Sequence, residues 1–251
     1  MTQLAGKHAL VTGGGTGIGL AIARSLAAQG VQVTITGRRL SVLQDVAETG
    51  MYPMAMDVSD EDQTATVIDE AVRQRGPIQI CIANAGIAEG RKLHKTDTEL
   101  WRRIMAINLD GCFFTIRESL RSMLDTDWGR VIAISSIAGL RGAPGAGAYA
   151  ASKHGVIGMI RSFSEDFMGA PYTFNSICPG YVDTPIVTRN TDAIAARTGA
   201  SADEARDMMV QMNRHKKLIS PEEIAAAALW LCNPASESTN GTEVRIAGGQ
   251  V

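Results

Sequence analysis

Tyr149-Ala150-Ala151-Ser152-Lys153 sets a phenol and an ammonium four residues apart. On a helix that spacing puts both on one face, one turn from each other. Free tyrosine, with a pKa of about 10, is a poor base at neutral pH. An ammonium about 4 Å from the phenolate is worth about 4 kcal/mol at an effective dielectric of 20, or roughly three pKa units. Lys153 is therefore expected to bring Tyr149 near 7, where it can give and take a proton. Alone, this pair is a common surface feature, so the company it keeps decides. Ser136 stands thirteen residues before Tyr149, and Asn108 another 28 before Ser136. Near the start, the apolar run Ala9-Leu10-Val11 leads into Thr12-Gly13-Gly14-Gly15-Thr16-Gly17-Ile18-Gly19, and Leu20-Ala21-Ile22-Ala23 opens a helical pattern. Strand, glycine turn and helix in that order make a dinucleotide-binding unit. Bare N–H groups and the positive end of the helix dipole face a pyrophosphate, and glycine lets the backbone come close.

The elements that must position these residues alternate to the end of the chain. Short apolar runs predict strands at His8–Thr12, Val31–Thr36, Met51–Met56, Ile78–Ala83, Arg130–Ser135, Thr173–Cys178 and Glu243–Ala247. Helical periodicity lies between them, near Gly17–Gln29, Ser41–Glu48, Asp60–Gln74, Asp97–Met123, Tyr149–Met168 and Pro221–Leu231. The strands are continuously apolar rather than alternating, as expected when helices cover both faces. The fold class is α/β: a doubly wound, mostly parallel sheet of the Rossmann type, with its ligand at the carboxyl ends of the strands. The 251 residues contain no Pro/Ser-rich linker or internal repeat, so one domain is expected over 1–251. A hydrophobic content of 45% with 20% charged residues fits a soluble protein with a sizeable core. The formal net charge of -2 argues against nucleic acid or an acidic membrane as partner. No apolar run reaches the roughly 18 residues of a membrane span, and no signal-peptide pattern opens the sequence. Cys81, Cys112, Cys178 and Cys232 lack metal-ligand spacing and read as reduced, packed thiols. The four histidines do not cluster, so no metal site is expected, and a cytoplasmic location is.

The glycines fall as Thr12-Gly13-x-x-x-Gly17-x-Gly19, not as the commoner G-x-G-x-x-G. With Tyr149-x-x-x-Lys153, Ser136 and Asn108, this pattern resembles the short-chain dehydrogenase/reductase family, single-domain type. The resemblance runs from the first strand to the last residues. It implies that Gly13, Gly15, Thr16, Gly17, Ile18 and Gly19 contact the dinucleotide. Asp57-Val58 resembles the family's adenine-contacting Asp-Val, although Asp57 also suits a helix-start cluster with Ser59, Asp60 and Asp62. Ala83-Asn84-Ala85-Gly86 stands where the family usually has Asn-Asn-Ala-Gly; Ala83 departs, whereas Asn84, Ala85 and Gly86 match. Pro179-Gly180-Tyr181-Val182-Asp183-Thr184 matches the family's Pro-Gly-x-Val-x-Thr, which implies cofactor contacts at Pro179, Gly180, Val182 and Thr184. At the closing Asp-Gly-Gly, Ala247 replaces the acid.

An NAD-preferring enzyme usually has an acidic residue about 20 positions past the glycines. Gly37 holds that place here, with Arg38 and Arg39 after it. A guanidinium fork suits a 2′-phosphate, so NADP is expected ahead of NAD. The family resemblance implies hydride transfer between nicotinamide and a ketone or secondary alcohol. Tyr149 would be the proton donor/acceptor, and Lys153 would tune it and bond the nicotinamide ribose. Ser136 would hold the substrate oxygen where charge develops, and Asn108 would distort its helix and support a water relay. The family also implies a homo-oligomer, a tetramer, and a substrate lid at about 185–220. Within that segment Ser201-x-x-Glu204 is a capping-box signature, and Ala205, Met208, Met209 and Met212 form one apolar face. The small residues of Gly139–Ala148 suggest room for a bulky ketone, with Arg141 or Arg214-His215-Lys216-Lys217 as anion contacts. A 3-oxoacyl thioester and a plain ketone both stay open as substrates. The alternatives are a catalytically inactive dinucleotide-binding scaffold, and the same chemistry run with NAD in the alcohol-oxidising direction. An extended-type sugar-nucleotide epimerase shares Y-x-x-x-K but usually has T-G-x-x-G-x-x-G and a longer C-terminal domain.

Overall fold

The computed structural model describes residues 3–188, 191, 199 and 201–251. Seven parallel strands form one sheet in the order β3-β2-β1-β4-β5-β6-β7. They are β1 (His8–Thr12), β2 (Gln32–Gly37), β3 (Met51–Ala55), β4 (Ile78–Ala83), β5 (Gly129–Ile134), β6 (Tyr172–Pro179) and β7 (Glu243–Ile246). The helices are α1 (Gly17–Ala27), α2 (Leu40–Val46), α3 (Glu61–Arg75), α4 (Thr98–Met105), α5 (Gly111–Met123), α6 (Gly147–Asp166), α7 (Ala202–Met212) and α8 (Pro221–Cys232).

Continuous apolarity in the strands has a simple outcome: alternate side chains enter two different cores. Ala9, Val11, Ile80, Ile82, Ile132 and Ile134 face α1 and α8, where they pack with Ile22, Leu26, Ile224 and Leu231. Leu10, Cys81, Ala83, Val131 and Ala133 face the opposite side, against Ile68, Ile116, Val156 and Ile160 of α3, α5 and α6. Pro53 has no N–H to give a ladder, and β3 lies at the sheet edge, where that is tolerated. The expected capping box opens α7, Ser201 with Glu204, and a second one, Ser220 with Glu223, opens α8.

One expected element differs. The helical pattern of Asp97–Met123 is not a single helix: a π-turn over Ala106–Asp110 separates α4 from α5. It is centred on Asn108, and such turns mark places where one residue has been fitted into a helix, commonly at functional sites. Part of the segment expected as a lid, 189–190, 192–198 and 200, lies outside the described residues. Of the apolar stripe on α7, Ala205 and Met209 are buried, whereas Met208 and Met212 are about half exposed (51% and 48%). Among the described residues, no helix is long and apolar enough to cross a membrane and no group of three or more His, Cys, Asp or Glu side chains could hold a metal.

Candidate active site

The strand order reverses between β1 and β4, and a crevice opens there at the carboxyl ends. Thr12, the last residue of β1, ties the crevice together. Its hydroxyl accepts from the Asn84 and Ala85 N–H groups, both at 3.0 Å, and its carbonyl accepts from Asn84 Nδ2 at 2.8 Å. Asn84 therefore spends its side chain on the backbone of the glycine turn. That turn is sterically committed to glycine, as two of its positions illustrate. Gly17 has φ +52, and a Cβ there would lie 3.0 Å from Thr184 Cγ2. A Cβ on Gly19 would lie 2.4 Å from the Gly13 carbonyl oxygen. The Pro179–Thr184 segment, leaving β6, is thus brought against the glycine turn; Gly180 N–H donates to Ile246 O and Val182 is buried.

Arg38 and Arg39 follow directly on β2, whose Thr36 carbonyl accepts from Gly14 N–H at 3.1 Å. Both arginines are exposed, and neither forms an ion pair among the described residues. Asp57, after β3, uses Oδ1 to accept from the Ser59 N–H (3.0 Å) and hydroxyl (2.7 Å), so the helix-start role is realised. Its backbone N–H donates to Gln63. Val58 is buried against Gly111 at the start of α5.

The groups expected to carry proton chemistry gather over β4, β5 and the first turns of α6. Lys153 is buried (5% exposed) and its Nζ donates to the Ile134 carbonyl at 2.8 Å, while lying 5.9 Å from the centre of the Tyr149 ring. Ser135 donates to the Lys153 carbonyl at 3.0 Å, pinning β5 to α6. Ser136 caps the following turn by accepting from Ala138 N–H at 3.1 Å, and its side chain also interacts with the Tyr149 phenol. Asn108 is 1% exposed and bonded through both ends of its amide. Its Oδ1 accepts from Ile87 N–H at 2.8 Å, and its Nδ2 donates to Ile87 O (3.0 Å) and Ser152 Oγ (3.1 Å). Ser152 in turn donates to the Tyr149 carbonyl at 2.8 Å. Both hydrogens of the Asn108 amide are taken, so its side chain holds the π-turn and has only acceptor capacity on Oδ1 left for a relay.

The electrostatics correct one expectation. Burial raises the pKa of Tyr149 above 10, with the Ser136 side chain pulling it down and the neighbouring Tyr181 and Cys178 pushing it further up. Burial also lowers Lys153 to about 8. Lys153 shares a helix face with Tyr149 as its spacing requires, but its ammonium bonds a main-chain carbonyl and loses much of its preference for charge. It therefore does not bring Tyr149 near 7; in the chain by itself Tyr149 holds its proton firmly.

The glycine turn leading into α1 suits a dinucleotide pyrophosphate, because its bare backbone precedes a helix N-terminus and a Cβ on Gly19 would meet the Gly13 carbonyl. A Cβ on Gly86 would lie 3.2 Å from Asn108 Oδ1 and 3.6 Å from Lys153 Nζ, so Gly86 keeps clear the floor between the glycine turn and the lysine. Sequence reasoning does not single out Thr12, Ser135 or Ser152, though all three lie inside or beside the motifs. It also passes over Asn213. That residue is fully buried, and it accepts from Tyr181 N–H (3.3 Å) while donating to Tyr181 O (3.0 Å) and Lys217 O (2.6 Å). Arg141 is exposed, and one of its N–H groups is engaged inside the chain: Nη2 donates to Gln250 Oε1 at 2.6 Å.

Comparison with known proteins agrees with this geometry. The family model described as short chain dehydrogenase matches residues 7–195. The D-beta-hydroxybutyrate dehydrogenase of Rhizobium meliloti (strain 1021) is 34% identical over 253 residues, covering 97% of this chain and 98% of that protein. The 3-oxoacyl-[acyl-carrier-protein] reductase MabA of Mycobacterium bovis (strain ATCC BAA-935 / AF2122/97) is 32% identical over 243 residues, covering 97% and 92%. Among solved structures, that of a variant actinorhodin polyketide ketoreductase with NADPH superposes with a TM-score of 0.95 at 28% identity, covering 100% of this chain and 99% of that one. The family binds nicotinamide dinucleotides and acts on small molecules. A glycine turn at the β1–β4 crevice, a Tyr/Lys pair on the helix behind it and relatives matched nearly end to end place this chain in the short-chain dehydrogenase/reductase family, as an oxidoreductase.

Proposed function

We propose that the protein reduces the ketone of a 3-oxoacyl compound with NADPH, Tyr149 giving the proton. The observation that carries this reading is the cluster of Tyr149, Ser136 and Lys153 beside a crevice floored by Gly86. Gly13, Gly15, Thr16, Gly17, Ile18 and Gly19 would cradle the pyrophosphate, and Asp57 and Val58 would border the adenine. Asn84, Ala85, Gly86, Pro179, Gly180, Val182 and Thr184 would line the nicotinamide end. When bound, the reduced nicotinamide supplies the hydride that the carbonyl carbon accepts.

What the side chains do follows from their states. A phenol whose pKa is raised by burial is protonated at neutral pH, the state needed to protonate a carbonyl oxygen as it gains negative charge. Ser136 is placed to hold that oxygen. Lys153 is the neighbouring group from which the phenolate is reprotonated. Reduction is thus the direction the resting protonation state favours, and alcohol oxidation gains as pH rises. Arg38 and Arg39, exposed at the end of β2 and without an ion pair among the described residues, support NADPH over NADH, with Gly37 offering no carboxylate to the ribose.

The substrate class is supported by what the relatives' names share. D-beta-hydroxybutyrate and 3-oxoacyl groups both carry their oxygen on the carbon β to an acyl group. The test is NADPH oxidation with a 3-oxoacyl thioester, a free 3-oxo acid and a cyclic ketone. Tyr149→Phe should lower turnover by about a hundredfold or more while cofactor binding is retained, because only the proton carrier is removed. No oxidation of NADPH or NADH with any of the three, or a Tyr149→Phe enzyme within about tenfold of wild type, overturns the reading.

A further inference from the structure

The segment after β7 reaches two other segments of the chain through one side chain. Gln250 Nε2 donates to Asn213 Oδ1 at 2.6 Å, and Gln250 Oε1 accepts from Arg141 Nη2 at 2.6 Å. Each contact leads somewhere. Asn213, fully buried, clamps both backbone groups of Tyr181, the residue after Pro179-Gly180. Tyr181 lies close enough to Tyr149 to oppose the ionisation of the Tyr149 phenol. Arg141 belongs to the stretch of small residues between Ser136 and Tyr149. Gln250 itself returns to the sheet through its N–H to Ala247 O at 3.1 Å, and Ala247 is buried beside Gly180.

We infer that Gln250 is a positioning residue for the substrate, setting the place of Tyr181 through Asn213 and of the 141–146 loop through Arg141. It touches none of the groups assigned to chemistry or to the cofactor. Its amide serves both partners at once, since Asn213 Oδ1 needs a donor and Arg141 needs an acceptor. A carboxylate would satisfy only Arg141, and an apolar side chain neither. Asn213 Oδ1 also accepts from Tyr181 N–H at 3.3 Å, so losing Gln250 removes the shorter of the two bonds to that oxygen and loosens the clamp on Tyr181, while Nδ2 keeps its bonds to Tyr181 O and Lys217 O. The inference rests on the ketone-reduction reading for its kinetic consequence, but its structural consequence can be read without any substrate.

The test compares wild type with Gln250→Met and Gln250→Glu, by hydrogen exchange of backbone amides and by steady-state kinetics with a 3-oxoacyl thioester and NADPH. Gln250→Met should speed exchange in peptides covering Tyr181 and in those covering 141–146, with α6 around Tyr149 unchanged. Gln250→Glu should speed exchange at Tyr181 but leave 141–146 protected. The KM for the ketone should rise about three- to tenfold in Gln250→Met, the size of one lost hydrogen bond, with a smaller change in kcat and none in the KM for NADPH. If Gln250→Met folds poorly, Arg141→Met removes one arm alone and should speed exchange at 141–146 only. Unchanged exchange at Tyr181 in both Gln250 variants overturns the inference. So does a uniform rise in exchange with both KM values moving together, which is what a merely structural role gives. If wild type turns over no ketone, the functional reading fails and the exchange pattern alone decides this one.

Discussion

Replacing Lys153 by methionine should abolish ketone reduction and yet cost the fold nothing at neutral pH. The structure supplies the magnitudes. Burial lowers the lysine from 10.5 to about 8, and each pKa unit is worth about 1.36 kcal/mol, so keeping Lys153 charged at pH 7 costs the native state about 3 kcal/mol. Against that gain, methionine leaves the Ile134 carbonyl without its 2.8 Å donor, a loss of about 1–3 kcal/mol for a buried acceptor. The net difference at pH 7 is between zero and about 2 kcal/mol in favour of the variant. The sign with pH is fixed by linkage. The folded pKa is below the unfolded one, so between pH 8 and 10.5 the unfolded chain binds the proton that the native chain has lost. Wild-type stability therefore rises with pH in that window, and the variant, having no such group, does not follow. Urea unfolding of both proteins at pH 7 and pH 10 isolates the effect, because every other titration cancels in the difference. Wild type should gain about 2–3 kcal/mol on the variant between those two pH values. A difference that stays constant with pH refutes the argument, as would a variant several kcal/mol less stable than wild type at pH 7. The expected outcome is a residue kept for turnover at the expense of stability.

Two further outcomes follow from named groups. His8 is buried, with Nδ1 on Gly76 O (2.8 Å) and Nε2 on Thr34 Oγ1 (2.9 Å), and burial lowers it to about 4. The unfolded chain takes up that proton below about 6.5, so stability should fall by about 2–3 kcal/mol between pH 7 and pH 4.5. In His8→Gln, urea unfolding should show that part of the slope missing; an unchanged slope sinks the assignment. At the cofactor end, Arg38→Ala should lower kcat/KM for NADPH relative to NADH by roughly 10- to 150-fold, the value of one hydrogen bond to a charged phosphate. Gly37→Asp with Arg38→Leu should turn the preference toward NADH. An unchanged NADPH/NADH ratio in both removes the case for the 2′-phosphate.

The fold was legible because its signals are redundant. Continuously apolar strands, each bounded by glycine or a polar turn, leave little choice besides a parallel sheet covered on both faces. The expected strands coincide with the observed ones to within a residue at each end. The distortion at Asn108 was legible only through the family resemblance, and not in the helical pattern itself. Its extra residue shifts the phase of the helical pattern once, at Asn108, and a window spanning Asp97–Met123 averages over the shift. The Tyr149–Lys153 spacing gave the shared face but not the balance between charge attraction and burial, which depends on Ile134, Cys112 and Cys178 packed around the ammonium. Met208 follows the same period as Met209 and is exposed, since periodicity gives a stripe's direction and not its width. The Asn213–Gln250–Arg141 contacts join three segments far apart in sequence, with no motif at any of them.

The strand order also governs when the crevice can exist during folding. In the sheet His8 stands beside Gln32 on one side and Ile78 on the other. The pairing of β1 with β2 closes a short loop, and the pairing of β1 with β4 closes one almost three times as long, across which the chain must first complete β2, α2, β3 and α3. The glycine turn arrives with β1, whereas Tyr149 and Lys153 arrive with β5 and α6, on the far side of that seam. Neither half has a crevice by itself. Parallel pairing over long separations is slow, so in refolding from urea the helical signal should return before turnover does. The lag between the two measures the docking of one half-sheet on the other, with the Thr12–Asn84 contact as its closing step.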